Sequence, residues 1–175
     1  MKHITALATI ALFVCCSCLV GCSSAHKEQK AQEDVGDVLG PGAVYVLADP
    51  SRVEGWNFQR PDGTIITDPA IQELSDSAGK DMAKVLLDRD TYALPARGGS
   101  FERAVGYRVW RAQQYVEFYL SFSNDQVYVK YPGPGGSTSS TSAGFTGARD
   151  AVLRAVHKAF PGYRAPGAPK VKNHD

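Results

Sequence analysis

Ser77 and Lys80 have the residue types and the spacing that could support catalysis. On a helix, a lysine three positions after a serine lies about one turn away. From there its amine can assist the serine hydroxyl as a nucleophile. Catalysis by a serine-lysine pair also needs a partner motif such as K-T-G, which the chain lacks. A hydrolase using Ser77 and Lys80 is therefore the alternative interpretation, and a solvated lysine on a helix is the simpler one.

The sequence Ser77-Ala78-Gly79-Lys80 resembles the serine-lysine motif of penicillin-binding proteins and β-lactamases. This chain is much shorter than those enzymes, and four-residue matches are frequent by chance. The nucleophile motif G-x-S-x-G does not occur in the sequence. We therefore expect no catalytic residues.

Metal and cofactor motifs are also incomplete. His26 and His174 lie near the ends of the chain, and His157 falls in a predicted helix. A single histidine in a predicted fold element does not make a Ser-His-Asp triad or a histidine-rich metal site. Asp88-Arg89-Asp90 has a D-x-D spacing but lacks the other ligands of a calcium loop. Gly133 to Gly136 lacks the G-K-[ST] ending of a phosphate loop. We expect no metal and no cofactor.

Cys22 closes the sequence Leu19-Val20-Gly21-Cys22, which resembles a bacterial lipobox. The resemblance implies that a diacylglycerol is attached to the Cys22 thiol and that a peptidase cuts before Cys22. The other three cysteines, Cys15, Cys16 and Cys18, would leave with the cleaved segment. The mature domain would then hold no disulfide, thiol nucleophile or cysteine metal site.

The segment before Cys22 has the features of a signal peptide. Lys2 supplies a positive charge, and the apolar run from Ile4 to Val20 fits the hydrophobic region. An uncleaved membrane anchor is the rival interpretation. A spanning helix needs about 20 apolar residues, and this run is slightly short. Two or three acyl chains would hold the processed protein at a membrane.

The chain divides into four predicted parts: a signal peptide over 1–21, a lipidated flexible tether over 22–42, one folded domain over 43–160 and a loose tail over 161–175. The tether is polar and ends at Gly40-Pro41-Gly42. Loss of Lys2 leaves the processed chain with equal numbers of acidic and basic residues. Nucleic acid, which would require a basic face, is therefore not expected as a partner.

The sequence of the folded part predicts an α+β fold, a single domain with an antiparallel sheet. Period-2 alternation predicts a three-stranded meander over about 103–131, and helical spacing predicts covering helices over about 73–88 and 146–160. Ser75 or Ser77, and Thr146, are candidate caps of these helices. Short runs predict further strands at 43–48, 53–59 and 64–66, and 132–144 reads as a small-residue loop. The order of elements is similar to that of small secreted and lipid-anchored bacterial domains, a likeness that brings no activity with it.

The second face of the meander is the candidate binding surface. Alternation places seven aromatic and charged residues away from the apolar core: Arg108, Trp110, Tyr115, Glu117, Tyr119, Tyr128 and Lys130. Such a mixture suits a protein or glycan partner. The alternative is structural, because cross-strand pairs stabilise a sheet and the first three strands could cover this face.

The sequence therefore predicts a lipid-anchored bacterial cell-envelope protein that acts as a binding or structural module. Its expected partners are membrane lipid through acylated Cys22 and an envelope protein or glycan. The alternatives are the Ser77/Lys80 hydrolase and a subunit of an envelope assembly. Ser23 and Ser24 follow Cys22 without the aspartate of an inner-membrane retention signal, which favours an outer membrane if the host has one.

Overall fold

The computed structural model describes residues 34–60, 62–132 and 137–165, and these form an α+β fold. Cys22 and the predicted signal peptide lie outside the described residues. The elements in chain order are α1 (residues 34–39), α2 (Pro41–Ala48), β1 (Arg52–Asn57), β2 (Gln72–Glu73), α3 (Asp76–Leu87), β3 (Val105–Arg111), β4 (Gln114–Ser121), β5 (Gln126–Pro132), β6 (Thr138–Gly144) and α4 (Arg149–Ala159). None of the helices in these ranges is long and apolar enough to cross a membrane.

The strands form one six-stranded sheet in the order β2-β1-β3-β4-β5-β6. Every neighbouring pair is antiparallel. The predicted meander is confirmed as β3, β4 and β5, because two-residue alternation gives each of these strands an apolar and a polar side. β1 extends the same sheet beside β3. One of the early strands that could have covered the meander therefore lies in the sheet instead of over it.

The helices pack on one face of this sheet and close a single core. Tyr107, Phe118 and Val129 are fully buried on that face, in one cluster with Met82 of α3 and Val156 of α4. The two predicted helices are confirmed, since α3 falls within 73–88 and α4 within 146–160.

The two helix starts differ in how they are capped. The Ser75 hydroxyl accepts a hydrogen bond from the Ala78 N–H at 3.4 Å and caps α3, as predicted. Thr146 does not cap α4. It lies in the 3-10 turn Thr146–Ala148 and donates its hydroxyl hydrogen bond to the Pro95 carbonyl at 2.7 Å.

The start of the folded part differs from the prediction. Residues 43–48 were expected to be a strand, but they belong to helix α2. Val35 and Leu39 of α1 are fully buried, so residues 34–42 are part of the fold rather than of a tether. Val35, Leu39 and Ala43 keep helical spacing in the sequence, and Gly40, with a φ of 90°, separates α1 from α2.

The other end of the fold also includes more residues than expected. β6 lies where a loop was predicted, because its serines and threonines pair with β5 instead of remaining solvated. Tyr163, placed in the predicted loose tail, is buried against Phe122 with ring centroids 5.5 Å apart. The predicted strand over 64–66 is reduced to a bridge between Gln59 and Ile65.

Replacing Tyr107 with phenylalanine is expected to stabilise the fold. The Tyr107 hydroxyl is buried without a hydrogen-bond partner among the described residues, and burial raises its pKa far above the ordinary value. A buried polar group left unpaired costs about 1–3 kcal/mol, so Tyr107→Phe should raise the free energy of unfolding by about 1 kcal/mol in urea titrations. Tyr119→Phe is the matched control. It removes a hydroxyl that donates to Glu117 Oε2 at 3.0 Å, and it should lower stability. A loss of stability in Tyr107→Phe would contradict the conclusion that the Tyr107 hydroxyl is buried without a hydrogen-bond partner.

Candidate binding face

The sheet face opposite the helices carries aromatic and charged side chains in register across the strands. We call it the open face. It comprises Arg52, Glu54 and Trp56 of β1, Arg108 and Trp110 of β3, Tyr115, Glu117 and Tyr119 of β4, and Tyr128 and Lys130 of β5. All seven residues predicted from alternation therefore lie on one face. Arg103, which precedes β3, adds its guanidinium over the Tyr119 ring.

Glu117 is the centre of the polar network on this face. Although it belongs to the open face, it is only 6% exposed. Its Oε1 accepts hydrogen bonds from Arg108 Nη2 at 2.7 Å and Nε at 3.1 Å. Its Oε2 accepts from the Tyr119 hydroxyl and lies 3.9 Å from Lys130 Nζ. A carboxylate this buried is tolerated because each oxygen has charged or polar partners.

The electrostatics follow from these contacts. Burial alone would lower the pKa of Arg108, but the hydrogen bonds and charge of Glu117, with the charge of Glu54, raise it above its ordinary value. Burial, followed by the hydrogen bond to Glu117, raises the pKa of Tyr119 to about 12. Arg108 therefore stays charged and Tyr119 stays a hydrogen-bond donor at neutral pH.

Glu54 forms a second, weaker set of contacts. Its Oε2 accepts hydrogen bonds from the Trp110 indole N–H at 3.2 Å and from Arg108 Nη1 at 3.4 Å. Its Oε1 lies 3.4 Å from Arg52 Nη2. Arg108 thus joins the two carboxylates, and the polar network runs without a break from β1 to β5.

The rings form two groups around this network. Trp110 and Tyr115 are paired across β3 and β4, with centroids 4.8 Å apart. Tyr119 contacts Trp56 at 5.9 Å and Tyr128 at 6.4 Å. The Trp56 indole lies over Gly106, where a Cβ would overlap the ring. The absence of a side chain at Gly106 therefore makes room for the Trp56 indole.

Three arginines on this face stack on rings. The Arg52 guanidinium carbon lies 4.7 Å from the Trp110 centroid, and that of Arg103 lies 4.8 Å from the Tyr119 centroid. The Arg108 guanidinium lies 5.2 Å from the Tyr115 centroid. These distances are within the range of cation–π attraction. Stacking on a ring restricts the orientation of each guanidinium plane.

The cationic side chains at the edges of the open face are more exposed than its carboxylates. The side chains of Arg52 and Lys130 are 44% and 46% exposed, whereas those of Glu54 and Glu117 are 17% and 9% exposed. Arg103 is also exposed. An approaching molecule therefore meets cations and ring edges first, with the carboxylates beneath them.

Ser77 and Lys80, the serine-lysine pair of the sequence analysis, lie on the exposed side of a closely packed helix. Ser77 and Lys80 lie in the first turns of α3, and both are exposed. The Ser77 hydroxyl is 3.4 Å from the Ser75 hydroxyl. Between them Gly79 packs against β1, where a Cβ would lie 2.7 Å from Val53 Cγ2. Close packing of α3 on the sheet therefore explains the small residues of this motif.

Two further sequence candidates, Asp88 and His157, have structural roles, whereas His26, His174 and Gly133 to Gly136 lie outside the described residues. Asp88 accepts a hydrogen bond from the Asp90 N–H at 3.0 Å and caps the 3-10 turn Arg89–Tyr92. His157 is exposed near the end of α4, with Nε2 3.1 Å from the Tyr163 carbonyl. Within residues 34–60, 62–132 and 137–165, no group of histidine, cysteine, aspartate and glutamate side chains is arranged to hold a metal ion.

No protein-family model, curated protein or solved structure matches this chain.

Sequence reasoning missed the β1 and Arg103 contributions to the open face. The alternation of Val53 and Gly55 with Glu54 and Trp56 was visible, but alternation alone does not reveal which strand β1 pairs with. Arg103 lies outside the strands, and no sequence pattern links it to Tyr119. The pairing of β1 with β3 is what brings Glu54 within reach of Arg108.

Proposed function

We propose that this protein is a binding module of the bacterial cell envelope, anchored through a lipid on Cys22 and acting through the open face. The observation that carries the binding role is the arrangement of that face. Stacked guanidinium groups and partly exposed rings stand above Glu117, which is buried, and Glu54, which is partly buried, and both carboxylates have partners. Such a surface has donors available to a partner without first breaking the network beneath.

The residue types support the same proposal. Tryptophan, tyrosine and arginine are the residues most enriched at energetically important interface positions. Both tryptophans of the chain lie on the open face, where Trp110 is partly exposed and Trp56, on the neighbouring strand, is buried. Rings that are already packed against neighbours lose little conformational entropy on binding, so a partner would gain most of the contact energy.

The anchor rests on the sequence Leu19-Val20-Gly21-Cys22 and the apolar segment before it. A lipid on Cys22 would place the folded part at a membrane surface, and we propose the outer membrane if the host has one. The chain between Cys22 and α1 would set the distance from that surface. The partner would then be an envelope component within reach, including a protein subunit of an envelope assembly.

A photo-crosslinker at Ser140 is expected to capture a discrete partner in cells. Ser140 is exposed and pairs with Lys130, so it reports on the open face without removing a ring. The lipidated full chain is irradiated in its native host, and adducts are identified by mass spectrometry. The double variant Trp110→Ala/Tyr119→Ala should reduce adduct yield about tenfold, since interface rings are typical hot spots.

The matched control places the same crosslinker at Ser77, an exposed serine on the helix layer. Ser77 should give none of the Ser140 adducts. Intact mass of the extracted chain checks that it begins at a lipid-modified Cys22. Identical adducts from both serines, or no adduct from Ser140, would contradict a binding role for the open face.

A further inference from the structure

We infer that the partner of the open face is an acidic protein surface, held by Arg52, Arg103 and Lys130 beside the partly exposed rings. This inference rests on the proposed function and adds the chemistry of the partner. It follows from how much of its hydrogen-bonding capacity each charged group on the face has already used.

Arg103 has the most unused hydrogen-bonding capacity on the face. Its guanidinium lies over the Tyr119 ring, and within the described residues it makes neither an ion pair nor a side-chain hydrogen bond. Lys130 approaches Glu117 Oε2 only at 3.9 Å, beyond hydrogen-bond distance. Arg52 has one contact to Glu54, at 3.4 Å. All three cations can therefore donate to a new carboxylate.

The acidic groups of the open face are either paired with Arg108 or placed at its borders. Glu117 is buried and Glu54 is partly buried, and both accept hydrogen bonds from Arg108. Glu73 of β2 and Glu102 are the exposed acids at the borders of the face. The exposed cations therefore extend from β1 to β5, and they complement a negatively charged partner.

The three cations stand on different sides of the rings. Arg52 is on β1, Lys130 is on β5, and Arg103 lies at the end of the sheet where Tyr119 contacts Tyr128. Arginines and aromatic rings are both enriched in protein interfaces. A partner that presents carboxylates beside apolar side chains would contact both kinds of group at once.

The rings themselves favour a protein over a glycan. A sugar binds by stacking on an aromatic face, but Trp110 is already covered by Arg52 at 4.7 Å and by the Tyr115 ring at 4.8 Å. Tyr119 is covered by Arg103 and contacted by Trp56. The accessible groups are guanidinium N–H donors, which match carboxylates in pairs.

Tryptophan fluorescence offers a direct test, because both tryptophans report on this face. Full-length lipidated protein in neutral detergent is titrated with oligo-L-glutamate and with oligogalacturonate of matched length and charge. We expect saturable binding of oligo-L-glutamate. The variant Arg103→Ala/Lys130→Ala should bind about fivefold more weakly, as expected for two exposed ion pairs. Circular dichroism checks that the variant is folded.

The control variant, Lys84→Ala/Arg154→Ala, removes the same charge from exposed positions of α3 and α4. It should bind oligo-L-glutamate within about twofold of the unmodified protein, because surface charges at a distance are screened by salt. Equal losses in the two double variants would overturn the inference. So would oligogalacturonate that binds as tightly as oligo-L-glutamate, or no saturable binding at all.

These outcomes separate the two proposals. If Ser140 captures a partner in cells but oligo-L-glutamate does not bind, the open face keeps its binding role and the acidic partner is wrong. If Ser140 captures nothing, the binding role itself fails.

Discussion

Replacing Glu117 with leucine is expected to lower the free energy of unfolding by about 3 kcal/mol, near the lower end of the range for breaking a buried ion pair. Glu117 is 6% exposed and accepts hydrogen bonds from Arg108 and the Tyr119 hydroxyl. Leucine would leave the Arg108 charge and that hydroxyl without their main partner. The side chain of Arg108 is 28% exposed, so water can partly solvate it, which limits the loss. Urea titration followed by tryptophan fluorescence measures the change.

Glu54→Leu is the matched control for this prediction. It removes the same type of side chain from the same face, next to the same Arg108, but Glu54 is less buried and its contacts are longer. It should cost about 1 kcal/mol. A double variant, Arg108→Met/Glu117→Leu, should recover part of the loss, because removing both partners leaves no uncompensated charge. Equal losses for Glu54 and Glu117 would show that burial does not determine the contribution of these carboxylates.

Glu117 connects the fold with the proposed function. Its partners lie on β3, β4 and β5, so it holds the middle of the sheet together from the solvent side. The same contacts place Arg108 and Tyr119 beneath the exposed cations. A variant that loses partner binding through Glu117 must therefore be tested for folding first, which is why Arg103 and Lys130 are the better probes of binding.

The sequence predicts those elements whose residues repeat with a clear period. β3, β4 and β5 alternate apolar and polar residues, and α3 and α4 carry apolar residues at helical spacing. In each case the period reflects one face packed against the core. The same alternation placed seven residues on the open face, because side-chain direction in a strand follows from position alone.

The sequence-based prediction is wrong for segments in which composition, and not the periodicity of apolar residues, indicated the structure. The run Gly40-Pro41-Gly42 suggested a flexible end, yet it joins two packed helices, α1 and α2. The serines and threonines of β6 suggested a loop, because their strand partner on β5 was not visible in the sequence. Long-range pairing also decides the site, since Glu54 and Arg108 are 54 residues apart.

Replacing Gly144 with alanine is expected to lower the free energy of unfolding by about 2–3 kcal/mol. Gly144 ends β6, and a Cβ there would overlap the main chain of Pro95 and Ala96. A main chain cannot rotate away as a side chain can, so either β6 or the segment beside it must move. Moving that segment would strain the hydrogen bond from the Thr146 hydroxyl to the Pro95 carbonyl at 2.7 Å. Urea titration gives the total loss, and hydrogen exchange should show faster opening of residues 138–144.

Gly98→Ala is the control because it lies in the same segment and an added Cβ would meet nothing within 4 Å. Its φ is not in the left-handed region, so alanine should be neutral or should stabilise by up to about 1 kcal/mol through the unfolded chain. A loss confined to Gly144→Ala would show that close main-chain contact, and not glycine flexibility, holds this small-residue strand in the sheet. If both variants lose the same stability, the contact between β6 and the segment at Pro95 is not what fixes the edge.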